Sequence, residues 1–360
     1  MKKYKIAFLI SQLSGGGAER VISNLANMFA KQGHDIIVIT VSKSDNEYYI
    51  SKDIKRFVLN DPTINYKCFP KPFVRTSRLR KICKTEKPDV LIAFMGNVLY
   101  YSIFATLGLH TKSIVSIRND PNFLYKGKLK KILAKLLLPI ADGCVFQTED
   151  AKKWFPRRMQ KKSRIIFNPI SDDFYETPYS PMEWKVMTCG RLVKQKNHEM
   201  LINAFSYVVK HQPKAKLYIF GDGPLKEQLM EQICFLGLQN NVFLLGRVNN
   251  VYERISSATV FVLSSDVEGA PNALMEAMAI GIPCISTDCP CGGPKMLLGD
   301  NENGILIPVG NIDAMFENIM FLLNNEQARV VYSRNAKLKA LNFKGAQIYE
   351  EWLKYVESIC

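Results

Sequence analysis

The sequence Asp266–Glu276, DVEGAPNALME, decides the fold of the second half of the chain. The apolar run Val260–Leu263 before it predicts a buried strand, and Pro271 suits the first turn of a helix, where a missing N–H costs nothing. Glu268 is therefore expected on the loop and Glu276 about one turn into the helix. Because a helix N-terminus attracts anions, the two carboxylates predict a pocket where an anionic group binds beside sugar or ribose hydroxyls.

Outward from this stretch, buried apolar runs alternate with helical patterns along the chain. Continuous apolar runs are typical of parallel strands that are covered on both faces. In the first half the predicted strands are Lys5–Ile10, Ile36–Val41, Val90–Phe94, Ser113–Ile117, Gly143–Phe146 and Arg164–Phe167. In the second half they are Lys185–Cys189, Lys216–Phe220, Val242–Leu245, Val260–Leu263 and Pro283–Ser286. Two such arrays predict an α/β protein with two doubly wound, Rossmann-like domains.

The domain boundary is expected between Asn168 and Pro181, a segment rich in Pro, Asp and Ser. The chain then divides into residues 1–170, residues 171–345, and a C-terminal helix over residues 346–360 that can cross back to the first domain. Ligands of doubly wound sheets bind at the carboxyl ends of the strands. Two facing sheets would therefore bind theirs in the cleft between the domains.

The net charge of +15 is unevenly distributed. Residues 1–170 carry 31 Lys and Arg against 12 Asp and Glu, a net charge of +19. Residues 171–360 carry 17 against 21, a net charge of −4. Such a basic half favours an anionic partner, whether nucleic acid, anionic lipid or a phosphorylated acceptor.

The segment Tyr125–Ile140, YKGKLKKILAKLLLPI, concentrates this positive charge. Its apolar residues fall at helical spacing, at Leu129, Ile132, Leu133, Leu136 and Leu137. Lysines accompany them at Lys126, Lys128, Lys130, Lys131 and Lys135. The pattern is typical of a helix that lies in the plane of an anionic membrane surface. The alternative is an ordinary amphipathic helix packed on the sheet.

The N-terminus has no secretory signal pattern, because Lys2, Lys3 and Lys5 run directly into a short strand. The longest uncharged run, Val90–Leu109, is about as long as a membrane span. However, Gly96-Asn97 divides it into a strand and a core helix. A cytoplasmic protein, bound peripherally to the inner face of the membrane, is therefore expected.

The loop Ser14–Arg20, SGGGAER, joins the first strand to the first helix. Its glycines let a backbone approach a phosphate or a sugar closely; a flexible turn is the alternative. A dinucleotide fingerprint needs a small residue where Arg20 stands and an acidic residue at the end of the second strand, which here reads Val41–Lys43. An NAD site is therefore not expected.

The loop Gly190–Asn197, GRLVKQKN, follows the first strand of the second half. Arginine offers a planar fork for phosphate oxygens and lysine a point charge, so Arg191 and Lys196 are candidates for binding a diphosphate. A solvated basic loop is the alternative. Weaker signals are the tight turn Phe220–Pro224 and the glycines of Gly292–Pro294, where a backbone can approach a ligand closely. At Gly246-Arg247 the arginine is a candidate phosphate or base contact, and a surface charge is the alternative.

These motifs, in this order, resemble the retaining glycosyltransferases of family 4, which have the GT-B fold. Glu268 and Glu276, separated by seven residues, are similar to the E-x7-E motif of that family. The loop Gly190–Asn197 resembles its diphosphate-binding loop and Ser14–Arg20 its first-domain glycine loop. The segments FGDGP, Gly246-Arg247 and Asn303–Pro308 also fall where the family has them.

Two further segments, Arg118–Pro121 and Thr287–Pro290, resemble enzymes of the family that build bacterial capsule, O-antigen or glycan-lipid oligosaccharides. One position departs from the pattern. Many members carry a histidine at the end of the strand Ser113–Ile117, where this chain has Arg118. The departure implies that a cation acts there instead of a histidine.

The resemblance implies transfer of a hexose or N-acetylhexosamine from a nucleotide-diphosphate sugar, UDP-linked, to a lipid-linked saccharide, with retention and without a metal or other cofactor. The sequence has no Asp-x-Asp motif for a metal. Arg191 and Lys196 would neutralise the leaving diphosphate. Glu276 would hold the ribose and Glu268 the donor sugar.

The resemblance also implies which residues form the site. The catalytic candidates are Glu268, Arg191 and Lys196. The donor-binding candidates are Gly16, Gly17, Gly190, Arg191, Lys196, Gly221, Arg247, Glu268, Gly269, Ala270, Pro271, Asn272 and Glu276. The acceptor-side candidates are Gly15, Glu19, Arg118, Asn119 and Asp120. The expected partners are a nucleotide sugar, a lipid-linked saccharide and an anionic membrane surface, with no nucleic acid.

Two other classes of function stay open at this point. A nucleic-acid-binding protein would explain the basic half, but the sequence offers no recognition helix or stacking module and Glu268 and Glu276 would have no role. A nucleotide-sugar epimerase or a phosphorylase could use a similar two-domain fold. An epimerase would need a paired acid and base, and a phosphorylase a phosphate or pyridoxal site, and the sequence identifies neither.

Overall fold

The computed structural model of the protein describes residues 2–60 and 70–360. The chain forms two compact units, of which the first comprises Met1–Pro169 with Ala346–Cys360 and the second comprises Ile170–Gly345. Each unit is a parallel sheet with helices between most of its successive strands. The predicted fold class, α/β with two Rossmann-like domains, is confirmed.

The first unit contains a seven-stranded sheet in the order β3-β2-β1-β4-β5-β6-β7. Its strands are β1 (Lys5–Ile10), β2 (Asp35–Thr40), β3 (Lys55–Val58), β4 (Val90–Phe94), β5 (Lys112–Ser116), β6 (Gly143–Phe146) and β7 (Ser163–Ile165). Its helices are α1 (Gly17–Lys31), α2 (Lys71–Glu86), α3 (Val98–Thr106), α4 (Pro121–Leu124), α5 (Lys128–Leu137), α6 (Glu149–Lys153) and α7 (Arg157–Lys161).

The second unit contains a six-stranded sheet in the order β10-β9-β8-β11-β12-β13. Its helices before and between the first strands are α8 (Asp173–Glu176), α9 (His198–His211), α10 (Lys226–Phe235) and α11 (Val251–Ile255). Its strands are β8 (Lys185–Cys189), β9 (Lys216–Phe220), β10 (Val242–Leu244), β11 (Val260–Leu263), β12 (Cys284–Thr287) and β13 (Ile305–Ile307). The remaining helices are α12 (Asn272–Ile280), α13 (Gly293–Leu298), α14 (Ile312–Asn324) and α15 (Glu326–Ala340), and α16 (Gly345–Glu357) follows.

Both sheets reverse their winding direction beside their first strand. In the first unit β1 pairs with β2 on one side and β4 on the other; in the second, β8 lies between β9 and β11. The crevice at such a switch point, outside the carboxyl ends of the strands, is where doubly wound proteins bind ligands. The loops after β8 and β11 therefore occupy the binding edge of the second unit.

The C-terminal helix α16 belongs to the core of the first unit. Trp352 is fully buried in that core, and its ring stacks on Phe94 at 5.9 Å between centroids. The Tyr349 hydroxyl lies 3.0 Å from Nε2 of His34, and the Tyr355 hydroxyl accepts a hydrogen bond of 2.7 Å from the Cys144 amide. These contacts attach the end of the chain to the sheet of the first unit.

Several local predictions need correction. No strand was predicted between Ile36–Val41 and Val90–Phe94, but this stretch contains the edge strand β3 and the helix α2, although residues 61–69 lie outside the described residues. The NGILIP segment supplies the additional edge strand β13. Several predicted strand ends differ from the structure by one or two residues, because the terminal side chains fit either a strand or the following turn.

Candidate functional site

Two loops meet at the switch point of the second unit. The loop after β8 contains a short 3-10 turn, Lys194–Lys196, and the loop after β11 leads into α12. Lys196 and Glu268 form an ion pair between these loops, with only 17% and 9% of their side chains exposed. The Ser265 hydroxyl also donates a 2.7 Å hydrogen bond to Oε1 of Glu268. A carboxylate and an ammonium group are thus held together at the carboxyl edge of the sheet.

Helix α12 begins directly after this loop. Its first residue is Asn272, so Pro271 occupies the capping position just before the helix rather than its first turn. Glu276 lies in the second turn and is buried, with 4% of its surface exposed. The first free amides of the helix and the carboxylate of Glu268 therefore lie at the same end of β11.

Three glycines allow the backbones of the loops at this edge to pack directly against one another. A Cβ atom built at Gly221 would overlap the carbonyl oxygen of Gly190, and one at Gly223 would approach the carbonyl of Leu192 within 2.5 Å. A Cβ atom at Gly293 would overlap the carbonyl oxygen of Gly269, beside Glu268. Any larger residue at these positions would push the loops apart, so the glycines fix the spacing of the edge.

The strand-end candidates of the second unit form a continuous edge. The Gly221 amide donates a 2.8 Å hydrogen bond to Gly246, which places Arg247 beside the loop after β9. Both Arg191 and Arg247 are exposed. The structure therefore brings Gly190, Gly221 and Gly246 together, with two guanidinium groups at the surface of the same sheet edge.

Two buried residues near this edge escaped the sequence analysis. His198 begins α9 behind the loop after β8, and burial lowers its pKa to about 4. Burial, together with the negative charge of Glu268, raises the pKa of the Cys289 thiol to about 12. Both groups are therefore uncharged at neutral pH. Cys289 lies inside the segment Thr287–Pro290 but was not selected as a site residue, and His198 lies in no motif that would have indicated its position.

The glycine loop of the first unit surrounds the start of α1. Gly15 has a left-handed φ of 88°, Gly16 is the capping residue and Gly17 is the first residue of the helix. A Cβ atom at Gly16 would overlap the carboxylate of Glu19, which folds back over the helix start. The lack of a side chain at position 16 leaves room for this carboxylate. Glu19 thus places a negative charge at the N-terminus of the helix, where it is favourable.

Arg118 lies at the end of β5, inside the first unit. Its guanidinium donates a 2.9 Å hydrogen bond to Oδ1 of Asn168 and lies 4.4 Å from the ring centroid of Phe94 and 5.6 Å from that of Trp352. Its Nε and Nη2 atoms have no hydrogen-bond partner in residues 2–60 and 70–360. Burial lowers the pKa of Arg118 to about 9, so the group still carries a positive charge at neutral pH.

Asn119 and Asp120 form a local turn after Arg118. The Asp120 amide donates to Oδ1 of Asn119, and the Asp120 carboxylate accepts a 2.8 Å hydrogen bond from the Asn122 amide at the start of α4. Their side chains therefore stabilise the chain reversal at the carboxyl edge of the first sheet. The acceptor-side candidates all belong to the first unit, and the candidates from Gly190 to Glu276 to the second.

The lysine-rich helix α5 presents its apolar stripe to the surface. Leu129 is 70% exposed and Leu136 is 65% exposed, with Ile132 and Leu133 exposed between them. Only Ala134 of this helix is buried, and the short 3-10 turn Leu138–Ile140 continues the chain. The alternative that the stripe packs on the sheet is therefore wrong. The predicted single segment Tyr125–Ile140 is interrupted, because Gly127 adopts a φ of 90° before α5.

Two features are absent from the described residues. In residues 2–60 and 70–360, no three His, Cys, Asp or Glu side chains are grouped in a way that would hold a metal ion. Over the same residues, no helix is both apolar enough and long enough to cross a membrane.

Comparison with protein families gives two matches that together span most of the chain. Residues 15–174 match the model for Glycosyltransferase Family 4, and residues 172–339 match the model for Glycosyl transferases group 1. The junction of the two matches coincides with the boundary between the two structural units.

Two relatives from Campylobacter jejuni align over almost the whole chain. One, GalNAc-alpha-(1->4)-GalNAc-alpha-(1->3)-diNAcBac-PP-undecaprenol alpha-1,4-N-acetyl-D-galactosaminyltransferase, is 31% identical over 99% of this chain and 99% of its own. The other, N-acetylgalactosamine-N,N'-diacetylbacillosaminyl-diphospho-undecaprenol 4-alpha-N-acetylgalactosaminyltransferase, is 28% identical over 98% of this chain and 99% of its own.

Solved structures show the same fold. Anabaena HepE in complex with UDP and glucose superposes with a TM-score of 0.81 at 17% identity, over 99% of this chain and 100% of its own. At that identity the likeness concerns the fold alone. Full-length similarity to the Campylobacter enzymes and the two family matches lead to one conclusion: this chain belongs to family 4 of the glycosyltransferases and has their GT-B fold.

Proposed function

We propose that the protein is a retaining glycosyltransferase that moves a hexose or N-acetylhexosamine from a UDP-linked sugar to a lipid-linked saccharide in surface polysaccharide or glycan biosynthesis. The single observation that carries this proposal is the Lys196–Glu268 ion pair at the switch point of the second unit. It puts a cation for a diphosphate beside a carboxylate for sugar hydroxyls in the crevice where such folds bind nucleotides.

The donor side uses charges that the chain itself supplies. Lys196 and Arg191 would bind the diphosphate, and the first amides of α12 would add hydrogen-bond donors. Glu276 would accept hydrogen bonds from the ribose, and Glu268 from the sugar. The backbone at Gly190, Gly221, Gly269, Ala270, Pro271 and Asn272, with Arg247, would line the rest of the donor site. From the first unit, Gly16 and Gly17 would approach the donor.

The proposed reaction breaks the bond between the anomeric carbon and the diphosphate oxygen. The acceptor oxygen forms its bond to that carbon on the same face, which retains the configuration, and the acceptor proton passes to the leaving diphosphate. Negative charge develops on the diphosphate as the bond breaks, so preorganised cations at Lys196 and Arg191 stabilise the transition state. These cations support the proposal that the transfer needs no metal ion.

The acceptor side is proposed for the first unit. Gly15, Glu19, Arg118, Asn119 and Asp120 lie at the carboxyl ends of its strands or at the start of α1. A lipid-linked saccharide is the proposed acceptor class, since the names of both Campylobacter relatives include an undecaprenol-linked diphosphate saccharide. The buried guanidinium of Arg118 would set a positive potential near that edge.

We also propose that α5 docks the protein on the anionic inner face of the cytoplasmic membrane. Its exposed leucines Leu129 and Leu136 lie on a helix with lysines at Lys128, Lys130 and Lys131. Each lysine near an anionic leaflet contributes about 1 kcal/mol, and the apolar stripe adds burial in the interface. Docking there would bring the acceptor side to a membrane-embedded lipid.

A donor panel tests the proposed function. The purified protein is incubated with UDP-linked hexoses and N-acetylhexosamines and an undecaprenyl-diphosphate-linked saccharide, and the acceptor is analysed by mass spectrometry. One donor should add a single sugar residue to the acceptor. If no donor gives transfer while a nucleic-acid probe binds tightly, the basic half serves nucleic acid instead and the proposal fails. Interconversion of the donor epimers without transfer would favour an epimerase.

A further inference from the structure

A set of hydrogen bonds joins the two loops that carry Lys196 and Glu268. We define the loop seam as residues 195–197 on the loop after β8 and residues 264–267 on the loop after β11. The Asp266 amide donates to the Gln195 carbonyl at 2.9 Å, and Nε2 of Gln195 donates to the Val267 carbonyl at 2.6 Å. The Ser264 hydroxyl donates to the Lys196 carbonyl at 3.0 Å. The seam therefore holds the backbone on both sides of Lys196 against the residues before Glu268.

Asn197 completes the seam and uses both ends of its amide. Its Oδ1 atom accepts a 3.1 Å hydrogen bond from the Met200 amide and so caps α9. Its Nδ2 atom donates a 2.7 Å hydrogen bond to Oδ1 of Asp266. The residue adopts left-handed angles, φ 45° and ψ 47°, a conformation that asparagine tolerates better than most residues. The amide therefore caps the helix through its oxygen and donates to a carboxylate through its nitrogen at the same time.

We infer that Asn197 and Asp266 are positioning residues, which set the distance between Lys196 and Glu268 without contacting the substrate. The inference rests on the proposed function, because that distance matters only if both groups act on one donor. Lys196 is the residue directly before Asn197, and Glu268 lies two residues after Asp266. A displacement of about 1 Å at a reacting centre can lower turnover on the order of 100-fold.

Substitutions at the two positions separate positioning from helix capping. Asn197→Asp keeps a good capping residue for α9 but sets two carboxylates against each other, which parts the loops. The exchange Asn197→Asp with Asp266→Asn reverses the direction of the hydrogen bond and restores it. Asp266→Asn alone keeps an acceptor for Nδ2 of Asn197 and is the matched control for the lost charge. Asp266→Ala removes the acceptor.

The experiment measures kcat and KM with the UDP-linked sugar that the donor panel selects, and the melting temperature of each variant. We expect Asn197→Asp to lower kcat on the order of 100-fold with a smaller change in KM, the double exchange to recover most of this loss, and Asp266→Asn to stay near the wild-type value. If Asn197→Asp does not fold, the comparison of Asp266→Ala with Asp266→Asn provides the test. Asp266→Ala should lower kcat, whereas Asp266→Asn should not.

Two outcomes would overturn the inference. A folded Asn197→Asp variant with wild-type kcat, next to an active wild-type protein, would show that the seam does not position the pair and would leave the proposed function standing. Loss of activity in Asn197→Asp without recovery in the double exchange would assign the effect to the local turn. A wild-type protein that transfers no sugar at all would instead refute the proposed function, and this inference with it.

Discussion

At the residue scale, Lys196 is held by two kinds of contact. Its ammonium group forms an ion pair with Glu268, and its backbone carbonyl accepts a hydrogen bond from the Ser264 hydroxyl of the loop seam. A bound diphosphate would compete with Glu268 for its ammonium group. The ion pair keeps the lysine in place and prevents the buried carboxylate from standing alone, which would be unfavourable.

We expect Lys196→Ala and Glu276→Ala to weaken binding of UDP. A charge-assisted hydrogen bond to a phosphate or ribose contributes about 1.5–3 kcal/mol, so the dissociation constant should rise by roughly 10- to 150-fold. Isothermal titration calorimetry measures the change. Lys194→Ala, an exposed lysine of the same turn, is the matched control and should bind as the wild type does. Unchanged affinity in both variants would refute the donor-site assignment.

Glu268→Gln should lower kcat more than it lowers the affinity for UDP. The side chain keeps its shape and can still accept from the Ser265 hydroxyl, but it no longer carries the charge that pairs with Lys196. Contacts that strengthen in the transition state affect turnover rather than ground-state binding. Steady-state kinetics beside calorimetry separate the two, with the exposed Glu199→Gln as control. A rise in KM with unchanged kcat would contradict the role of Glu268.

At the residue level, the sequence could indicate side chains that lie inside a motif. Lys196 and Glu268 were both selected as charged residues in loops that follow predicted strands, and the structure pairs them. Ser265 and Asp266 were not selected, although Ser265 contacts Glu268. The sheet order brings their partners near, although Asn197 and Asp266 are 69 positions apart in the sequence. Spacing along the chain does not encode such contacts.

At the scale of elements, α5 is the feature whose surface most clearly indicates a partner. Charge reversal of Lys128, Lys130 and Lys131 to Glu should abolish sedimentation with vesicles of anionic lipid, and high salt should do the same, because exposed charges are screened. Reversal of Lys210, Lys214 and Lys226 on the second unit changes the net charge equally and is the control. Binding that persists after the α5 changes would contradict docking through this helix.

The exposed leucines of α5 give an independent prediction. Leu129→Ser with Leu136→Ser should weaken vesicle binding, because these side chains would enter the interface. The melting temperature should hardly change, since both side chains are mostly exposed in the folded protein. A large fall in melting temperature would show that the stripe packs inside the protein under solution conditions.

Helix α9 carries a prediction about pH. The pKa of His198 is lowered from 6.5 to about 4 by burial, so the unfolded chain binds more protons between these values. The stability that neutral His198 contributes is present above about pH 6.5 and is lost as the pH falls towards 4, up to roughly 3 kcal/mol.

Urea unfolding between pH 8 and pH 5 measures this contribution. His198→Gln should flatten the acid side of the stability curve. The exposed His211→Gln on the same helix should leave the curve unchanged. Equal slopes for the wild type and His198→Gln would contradict the lowered pKa.

Elements were predictable where burial on both faces leaves a continuous apolar run. The central strands β1, β4, β8 and β11 have the predicted bounds. The edge strands β3 and β13 were missed, because β3 reads KRFV and is partly exposed, and β13 has only three residues. An edge strand is covered less and its sequence shows less of the apolar pattern.

At the scale of the whole molecule, the chain combines a basic half with a weakly acidic half. Residues 1–170 carry a net charge of +19 and residues 171–360 a net charge of −4. Under the proposed function, a membrane and a lipid diphosphate would both favour the first, whereas a soluble donor would need only the few local cations of the second. This division of charge suits a transferase that joins a soluble substrate to a membrane-bound one.

The fold class could be predicted for the whole molecule because the βαβ pattern repeats in each half. A C-terminal helix that can cross back to the first domain was expected, but its packing in the core depends on long-range contacts of Tyr349 and Trp352, which local patterns do not specify. The same limit applies to the choice of sugar. Epimers differ only in the orientation of one hydroxyl group, and its recognition depends on which side chains the fold brings near it.

The most direct test is the anomeric configuration of the transferred sugar, measured by proton NMR on the product formed in the presence of EDTA. We predict that the acceptor gains one sugar, that its anomeric configuration equals that of the UDP-linked donor, and that chelation leaves the rate unchanged. A product of inverted configuration would contradict the retaining mechanism. Transfer that stops on chelation would contradict the role of Lys196 and Arg191 in place of a metal, and absence of any transferred sugar would contradict the proposed function as a whole.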